Sequence, residues 1–197
     1  MKYFTADTHF GHEKALNFPG RKGFDFTVDS WADMLIDLIN RTVTKHDRLF
    51  ILGDFALGGR KTFIKYKERI KVKDLWLIKG NHCPSNELCT QVFGDRFRQV
   101  HECKIKEMPC WLSHYPHIFW KGSHHGSFHL FGHVHNQRTK FLNKIAPEMR
   151  SLDVCPESYK KIFGEWGIFS EDQIYELLIN KKNHDQISFY EEEFGKL

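Results

Sequence analysis

Two stretches decide the fold: Ser127-Phe-His-Leu-Phe-Gly-His-Val-His135, and Lys2-Tyr-Phe-Thr-Ala-Asp-Thr-His9 near the N-terminus. Each is an apolar, strand-like run that stops at a cluster of metal-ligand side chains. Between them lie Gly53-Asp54, Gly80-Asn81-His82 and Ser113-His114, each directly behind another apolar run. Five strand ends delivering Asp, Asn and His to one place are difficult to explain by packing. In open α/β sheets, ligands collect outside the carboxyl ends of the strands, which is where Asp7, Asp54 and Asn81 fall. A mixed oxygen and imidazole set without thiolate suits hard or borderline divalent ions, and Zn, Mn, Fe and Ni are all acceptable. The pattern is that of an enzyme.

The surrounding sequence supports this frame. Residues 2–6 read as a buried strand. A helix is expected from about 28 to 40, with Trp31, Leu35, Leu38 and Ile39 at helical spacing and Asp29 or Ser30 as its cap. A second strand covers 48–52, and a helix over 61–70 turns Phe63, Ile64 and Ile70 inward. A third strand covers 75–78. This alternation is the signature of right-handed parallel crossovers. The second half changes character: strands at 100–106, 110–113, 127–131 and 150–154, joined by short or loop-like connections, suggest more antiparallel pairing. Ser170 and Gln173 form a capping-box pattern that starts a helix reaching about Ile179. Residues 187–190 read as a final edge strand. With no repeat and no long linker, the 197 residues are expected to form one domain, 1–197.

Composition narrows the class. Hydrophobic content of 41% and charged content of 27% are those of a globular chain, not a disordered one. A formal charge of +4 is compatible with an anionic substrate but lacks the concentrated basic stripe of a nucleic-acid binder, so no stable nucleic-acid complex is expected. The five cysteines form an odd count with no C-x-x-C pair, which favours a reducing compartment over a disulfide framework. The N-terminus turns polar too early for a signal peptide, and no apolar run approaches the roughly 20 residues needed to span a bilayer. A cytoplasmic protein without membrane association is expected, its oligomeric state open.

Taken singly the motifs differ in strength. Asp7-x-His9 is weak alone, but it places a carboxylate and an imidazole on one turn behind a buried strand. Gly53-Asp54 allows a tight bend that lifts Asp54 above the sheet, the alternative being that Asp54 only caps the next turn. Asn81-His82 combines an amide oxygen that can bind a metal with an imidazole free for acid–base work. Gly132-His-Val-His135 is the strongest: alternate residues of an extended segment point opposite ways, so His133 and His135 can serve two ions.

In this order, Asp7-x-His9, Gly53-Asp54, Gly80-Asn-His82, His114 and Gly132-His-x-His135 resemble the calcineurin-like metallophosphoesterase family. The fuller phrases Asp-Thr-His-Phe-Gly-His12 and Leu-Phe-Gly-His-Val-His-Asn136 are similar to its small bacterial and phage branch. The resemblance spans about residues 1–155. It implies a four-layer α/β/β/α sandwich of two mixed sheets, with the site at its top edge. It also implies two divalent metal ions, Mn foremost. Asp7, His9, Asp54 and His135 would hold the first, and Asp54, Asn81, His114 and His133 the second. A hydroxide shared by the ions would be the nucleophile, Asn81 would help neutralise the phosphate, and His82 would be the general acid.

The chain also departs from the family pattern. Cys83 follows Asn81-His82 where an acidic residue is common, either as a small core residue or as a group that tunes His82. Leu57 stands where the protein phosphatases carry a second acid, and the partner that would orient His82 is unidentified. His12 either touches substrate phosphate or buttresses the first ion's ligands. His124 and His125 are exposed or line the cleft, and His117 and His129 are structural or surface. Phe10, Phe55 and Trp120 are packing residues, with stacking on a base as the alternative. The substrate is expected to be a phosphoester, a nucleotide-type diester ahead of a monoester. A non-catalytic binding scaffold of the same fold is the third reading.

Overall fold

The computed structural model describes residues 1–137 and 149–181. The first half builds a sheet from β1 (Lys2–Thr5), β2 (Arg48–Leu52), β3 (Asp74–Ile78) and β4 (Phe97–Arg98), ordered β4-β3-β2-β1 and parallel throughout. β9 (Phe169–Ser170) adds an antiparallel edge beside β1. Crossovers run through α1 (Val28–Thr42), α2 (Gly59–Arg69) and α3 (Asn86–Phe93).

The second sheet has the order β5-β6-β7-β8, from β5 (His101–Ile105), β6 (Met108–Leu112), β7 (Phe128–Phe131) and β8 (Ser151–Asp153). Only β5 and β6 pair antiparallel there; β6–β7 and β7–β8 are parallel. Antiparallel pairing in the second sheet is thus confined to this one hairpin, although its connections suggested more of it. The stretch between β6 and β7 carries only a 3-10 turn, Ser123–His125, yet it is long enough for a parallel crossover, which requires about a dozen residues. α4 (Pro156–Phe163) and α5 (Glu171–Leu178) complete the described elements. The protein is thus a mixed α/β fold with two mixed sheets.

Side-chain alternation explains how the first sheet serves two cores. Leu49, Ile51, Leu75 and Leu77 face the helices, packing with Trp31, Leu35 and Ile39 of α1 and Phe63 and Tyr66 of α2. Phe4, Phe50, Leu52 and Ile78 face the second sheet, meeting Ile105, Cys110, Leu112, Phe128 and Leu130. α5 adds Ile174 and Leu178 to this inter-sheet core.

Local signals placed most elements, with specific differences. The cap of α1 is Thr27, not Asp29 or Ser30; its hydroxyl accepts the Ser30 N–H while Ser30 returns a bond to the Thr27 N–H. In α2 the buried residues are Phe63 and Tyr66, and Ile64 is only half-buried. α3, α4, β4 and β9 were not expected from the sequence. The strand expected at 187–190 lies outside the described residues. Among the described residues, no helix is long and apolar enough to cross a membrane.

Because Thr27 closes a reciprocal cap on the helix that carries Trp31, Thr27→Ala is expected to lower stability by about 1 kcal/mol, read from urea unfolding.

Candidate metal centre

The loops that leave β1 and β2 run side by side. Asp7 N–H donates to the Gly53 carbonyl (3.1 Å), His9 N–H to Asp54 (2.9 Å) and Phe10 N–H to Phe55 (3.0 Å), and Leu57 N–H returns to Phe10 (2.8 Å). The loops that leave β6 and β7 are joined in the same way, Gly132 N–H donating to the His114 carbonyl (2.9 Å). Four strand ends from two sheets thereby meet.

Two carboxylates tie them together. Asp7 Oδ2 accepts the His133 backbone N–H (2.7 Å), linking the first sheet to the second. Asp54 Oδ1 accepts the His82 backbone N–H (2.7 Å), fixing the loop after β3. In both cases the other oxygen turns toward imidazoles. Asp7 Oδ1 lies 3.7 Å from His135 Nε2, 3.8 Å from His9 Nε2 and 4.0 Å from His114 Nδ1. It is buried with no hydrogen-bond partner. Asp54 Oδ2 lies 3.8 Å from His9 Nε2 and 3.4 Å from His114 Nε2.

The backbone bends sharply to achieve this. Among the described residues, seven non-glycine residues have positive φ, and Asp7, His9, Asp54, His133 and His135 are five of them. Such conformations cluster where surrounding structure over-determines them, typically at functional sites. Glycine clears the space: a Cβ at Gly53 would strike the His114 ring, at Gly80 the Asp54 carboxylate, and at Gly132 the Asp7 carboxylate.

Two groups of ligand atoms result. Asp7, His9 and His135 form one, and Asp54, His114 and His133 the other, the atoms of each lying within 4.8 Å of one another. His9 Nε2 and His135 Nε2 are 3.1 Å apart. Ligand atoms about 2.1 Å from one ion and 90–110° apart stand about 3.0–3.4 Å from each other, so the spacing suits a shared cation. The donor chemistry agrees. His114 Nδ1 must donate to the Leu52 carbonyl (2.9 Å), which turns the Nε2 lone pair toward Asn81 Oδ1 (2.9 Å) and Asp54 Oδ2. Acceptors facing acceptors is an arrangement that a cation completes. The orphaned Asp7 Oδ1 among imidazole nitrogens fits one equally well.

Electrostatics set apart the carboxylate and the imidazole of the first group. Burial, with Asp153 and Asp54 nearby, pushes the Asp7 carboxyl well above its usual range. Burial, followed by repulsion from His135, pulls His9 down to about 2 and keeps it neutral. Neutral imidazoles and ionised carboxylates are the forms that ligate, so His9 is ready to bind while Asp7 gives up a proton as a cation enters.

All nine residues expected at the site converge. Asp7, His9, Asp54, His114 and His135 are buried, while Asn81, His82 and His133 are exposed. The His82 ring lies 5.5 Å from the rings of His9 and His12. His12 Nδ1 sits 3.0 Å from His9 Nδ1, where it can hold that ring. A cavity of about 220 Å³ is lined by His9, Asp54, His82, His133, His135, Phe18 and Gln137. A second, of about 330 Å³, opens beside Asn81 and His114 and is bordered by Tyr115, Gln99 and Lys79.

Other candidates fall away. Cys83 is buried and its sulfur accepts the Gly80 N–H (3.3 Å), locking the turn. Phe10, Phe55 and Trp120 are buried packing residues. His129 is buried, bonded to the Trp111 carbonyl and the His117 N–H. His124 and His125 are exposed with rings 4.1 Å apart and line neither cavity. Sequence reasoning missed Arg21 and Glu157, both buried behind the first group: Arg21 Nε donates to Glu157, and Glu157 Oε1 faces His135 Nδ1 at 3.4 Å.

No protein-family model and no curated protein matches the chain. Among solved structures, the fold is similar to that of a protein of unknown function from Aquifex aeolicus. The TM-score is 0.66 over 90% of this chain and 98% of that one, at 20% identity. Fainter likenesses are to Yfce, a phosphoesterase from E. coli (TM-score 0.42, 16% identity, 68% and 69% covered), and to a predicted phosphoesterase from Streptococcus pneumoniae (0.35, 14%, 68% and 62%). The first establishes a shared fold; the other two are too faint to carry an argument.

Since Asp54 faces both groups, Asp54→Ala is expected to reduce bound Mn²⁺ from about two ions per chain to one or none, measured by elemental analysis. Gly80→Ala, which sets a methyl against Asp54, should lower occupancy in the same assay.

Proposed function

We propose that the chain is a metal-dependent phosphoester hydrolase of the metallophosphoesterase type, favouring nucleotide-like phosphodiesters. The observation that carries this reading is the position of Asp54 Oδ2, 3.8 Å from His9 Nε2 and 3.4 Å from His114 Nε2, between the two ligand groups. A carboxylate shared by two cation sites is a recurring device for cleaving phosphate esters. On this reading Asp7, His9, Asp54 and His135 hold the first ion, and Asp54, Asn81, His114 and His133 the second. Bound divalent ions, Mn ahead of Fe, Zn or Ni, supply Lewis-acid charge to the phosphate oxygens and lower the pKa of water between them.

The chain's own residues do the rest. The Asn81 amide stands beside the second group, where it can face a phosphate oxygen. His82 gives its imidazole proton to the departing ester oxygen; its backbone is anchored on Asp54 and its ring borders the cavity. Imidazole is the side chain suited to proton transfer near neutral pH. His12, bonded to His9 Nδ1, serves first as the support of that ring.

Two features favour a diester. Two cavities border the site, one lined by His9, His82 and His133 and the other by Asn81 and His114, giving room for both esterified groups. The position of a phosphatase-type second acid is held by Leu57, and Arg60 is engaged away from the site with Gln91 (2.7 Å). A phosphomonoesterase is the alternative. The reading carries with it a single domain of four α/β/β/α layers. It also places the enzyme in a reducing cytoplasm, which its five unpaired cysteines suit.

After EDTA treatment and Mn²⁺ reconstitution, bis(p-nitrophenyl) phosphate should turn over faster than p-nitrophenyl phosphate. His82→Ala should lose about 10²–10⁴-fold in rate on diesters with poor leaving groups while keeping its metal content. Turnover of the monoester alone would move the assignment to a phosphatase. No turnover of either ester with any of Mn²⁺, Zn²⁺, Fe²⁺ or Ni²⁺ would sink the hydrolase reading.

A further inference from the structure

Arg21 and Glu157 are both buried, far apart in sequence, and meet directly behind the first ligand group. Arg21 is held from three directions. Its Nε donates to Glu157, its Nη2 donates to the Asp7 backbone carbonyl (2.6 Å), and its guanidinium lies 4.2 Å over the Trp31 ring. Trp31 is itself fixed by its Nε1–H on the Thr8 carbonyl (2.8 Å). Glu157 stands in the first turn of α4, and its Oε1 faces His135 Nδ1 at 3.4 Å. Gly20, at φ +99°, leaves room for it: a Cβ there would lie 2.9 Å from Glu157 Cγ.

Stability is a poor explanation for this pair. A buried ion pair is often no more stabilising than apolar residues of the same volume. This one also leaves Arg21 Nη1 and Glu157 Oε2 buried without partners. What the pair does provide is a fixed acceptor for one edge of His135 and a fixed donor on the backbone of Asp7. A carboxylate can only accept, so His135 Nδ1 carries the proton and Nε2 turns its lone pair toward Asp7 Oδ1, 3.7 Å away. The second group is built differently: His114 is oriented by a backbone carbonyl, that of Leu52.

We infer that Arg21 and Glu157 are a positioning pair that locks His135 in its Nδ1–H tautomer and so prepares the first ion site specifically. This rests on the metal-site reading given above. Phe18, from the same loop as Arg21, packs its ring 4.6 Å from His135 and 5.6 Å from His9, so one loop encloses the first site from front and back.

The test compares wild type with the double variant Arg21→Met plus Glu157→Leu, which removes the pair without stranding either charge and so preserves folding. Nitrogen-15 spectra of histidine-labelled, metal-free protein read the tautomer directly, the His135 signals being assigned by their loss in His135→Gln. Wild type should show His135 as Nδ1–H, and the double variant a mixture. In a Mn²⁺ titration by calorimetry, one of two binding phases should weaken about 10–100-fold in the double variant while the other is unchanged. An Nε2–H tautomer in wild type, or equal weakening of both phases, or neither, would overturn the inference. If wild type shows the Nδ1–H tautomer but binds no Mn²⁺, the metal reading fails, and the assignment to an ion site falls with it.

Discussion

Each of the two buried carboxylates, Asp7 and Asp54, divides its oxygens between backbone and imidazole, and the rest of the site depends on that division. One oxygen accepts a backbone N–H from a distant loop, that of His133 or His82. The other is left facing histidine nitrogens. The first half of the arrangement is structural: Asp7 joins the end of β1 to the loop after β7, across the two sheets. The second half is chemical. The same hydrogen bond that holds the loops aims the remaining oxygen, so the ligand geometry cannot be lost without loosening the junction between the two sheets.

Such a site is expensive in backbone conformation. Non-glycine residues in the left-handed region cost of order 1–3 kcal/mol each, and five of them, both carboxylate residues included, lie at this site. The fold bears this because the strands that deliver them are anchored in two separate cores. Phe50 and Leu52 of β2 sit in the inter-sheet core while Leu49 and Ile51 sit under the helices, so the end of β2 has no freedom to relax the turn at Gly53 and Asp54. The strain is placed where the framework is stiffest.

What the sequence revealed follows the same division. β1, β2, β3 and β7 were legible because each is a continuous apolar run, and the ligands were legible because each run ends in them. α5 was legible through the local exchange between Ser170 and Gln173, which the structure repeats bond for bond. α3 was hidden because only Cys89 and Phe93 of its eight residues are buried, too few for a helical stripe. α4 was hidden for the opposite reason: its buried side includes Glu157 and Ser158, which read as surface. Arg21 belongs to this second class. A charged side chain announces burial only through its partner, and here the partner lies 136 residues away.

The two ligand groups are not equivalent, and burial decides how. Asp7, His9 and His135 are all enclosed, with Phe18 over the rings. The other group ends in an exposed histidine, His133, and has the larger cavity at Asn81 and His114. An ion exchanged with solvent, or a substrate oxygen entering from it, meets the second group more easily than the first. His82 stands at the smaller cavity, beside the first group. Its backbone is tied to Asp54, the residue common to both groups, while its exposed ring stands against His9 and His12 at the rim of the cavity. The enclosed group is therefore shielded on all its ligands, and the open one is the more accessible from solvent.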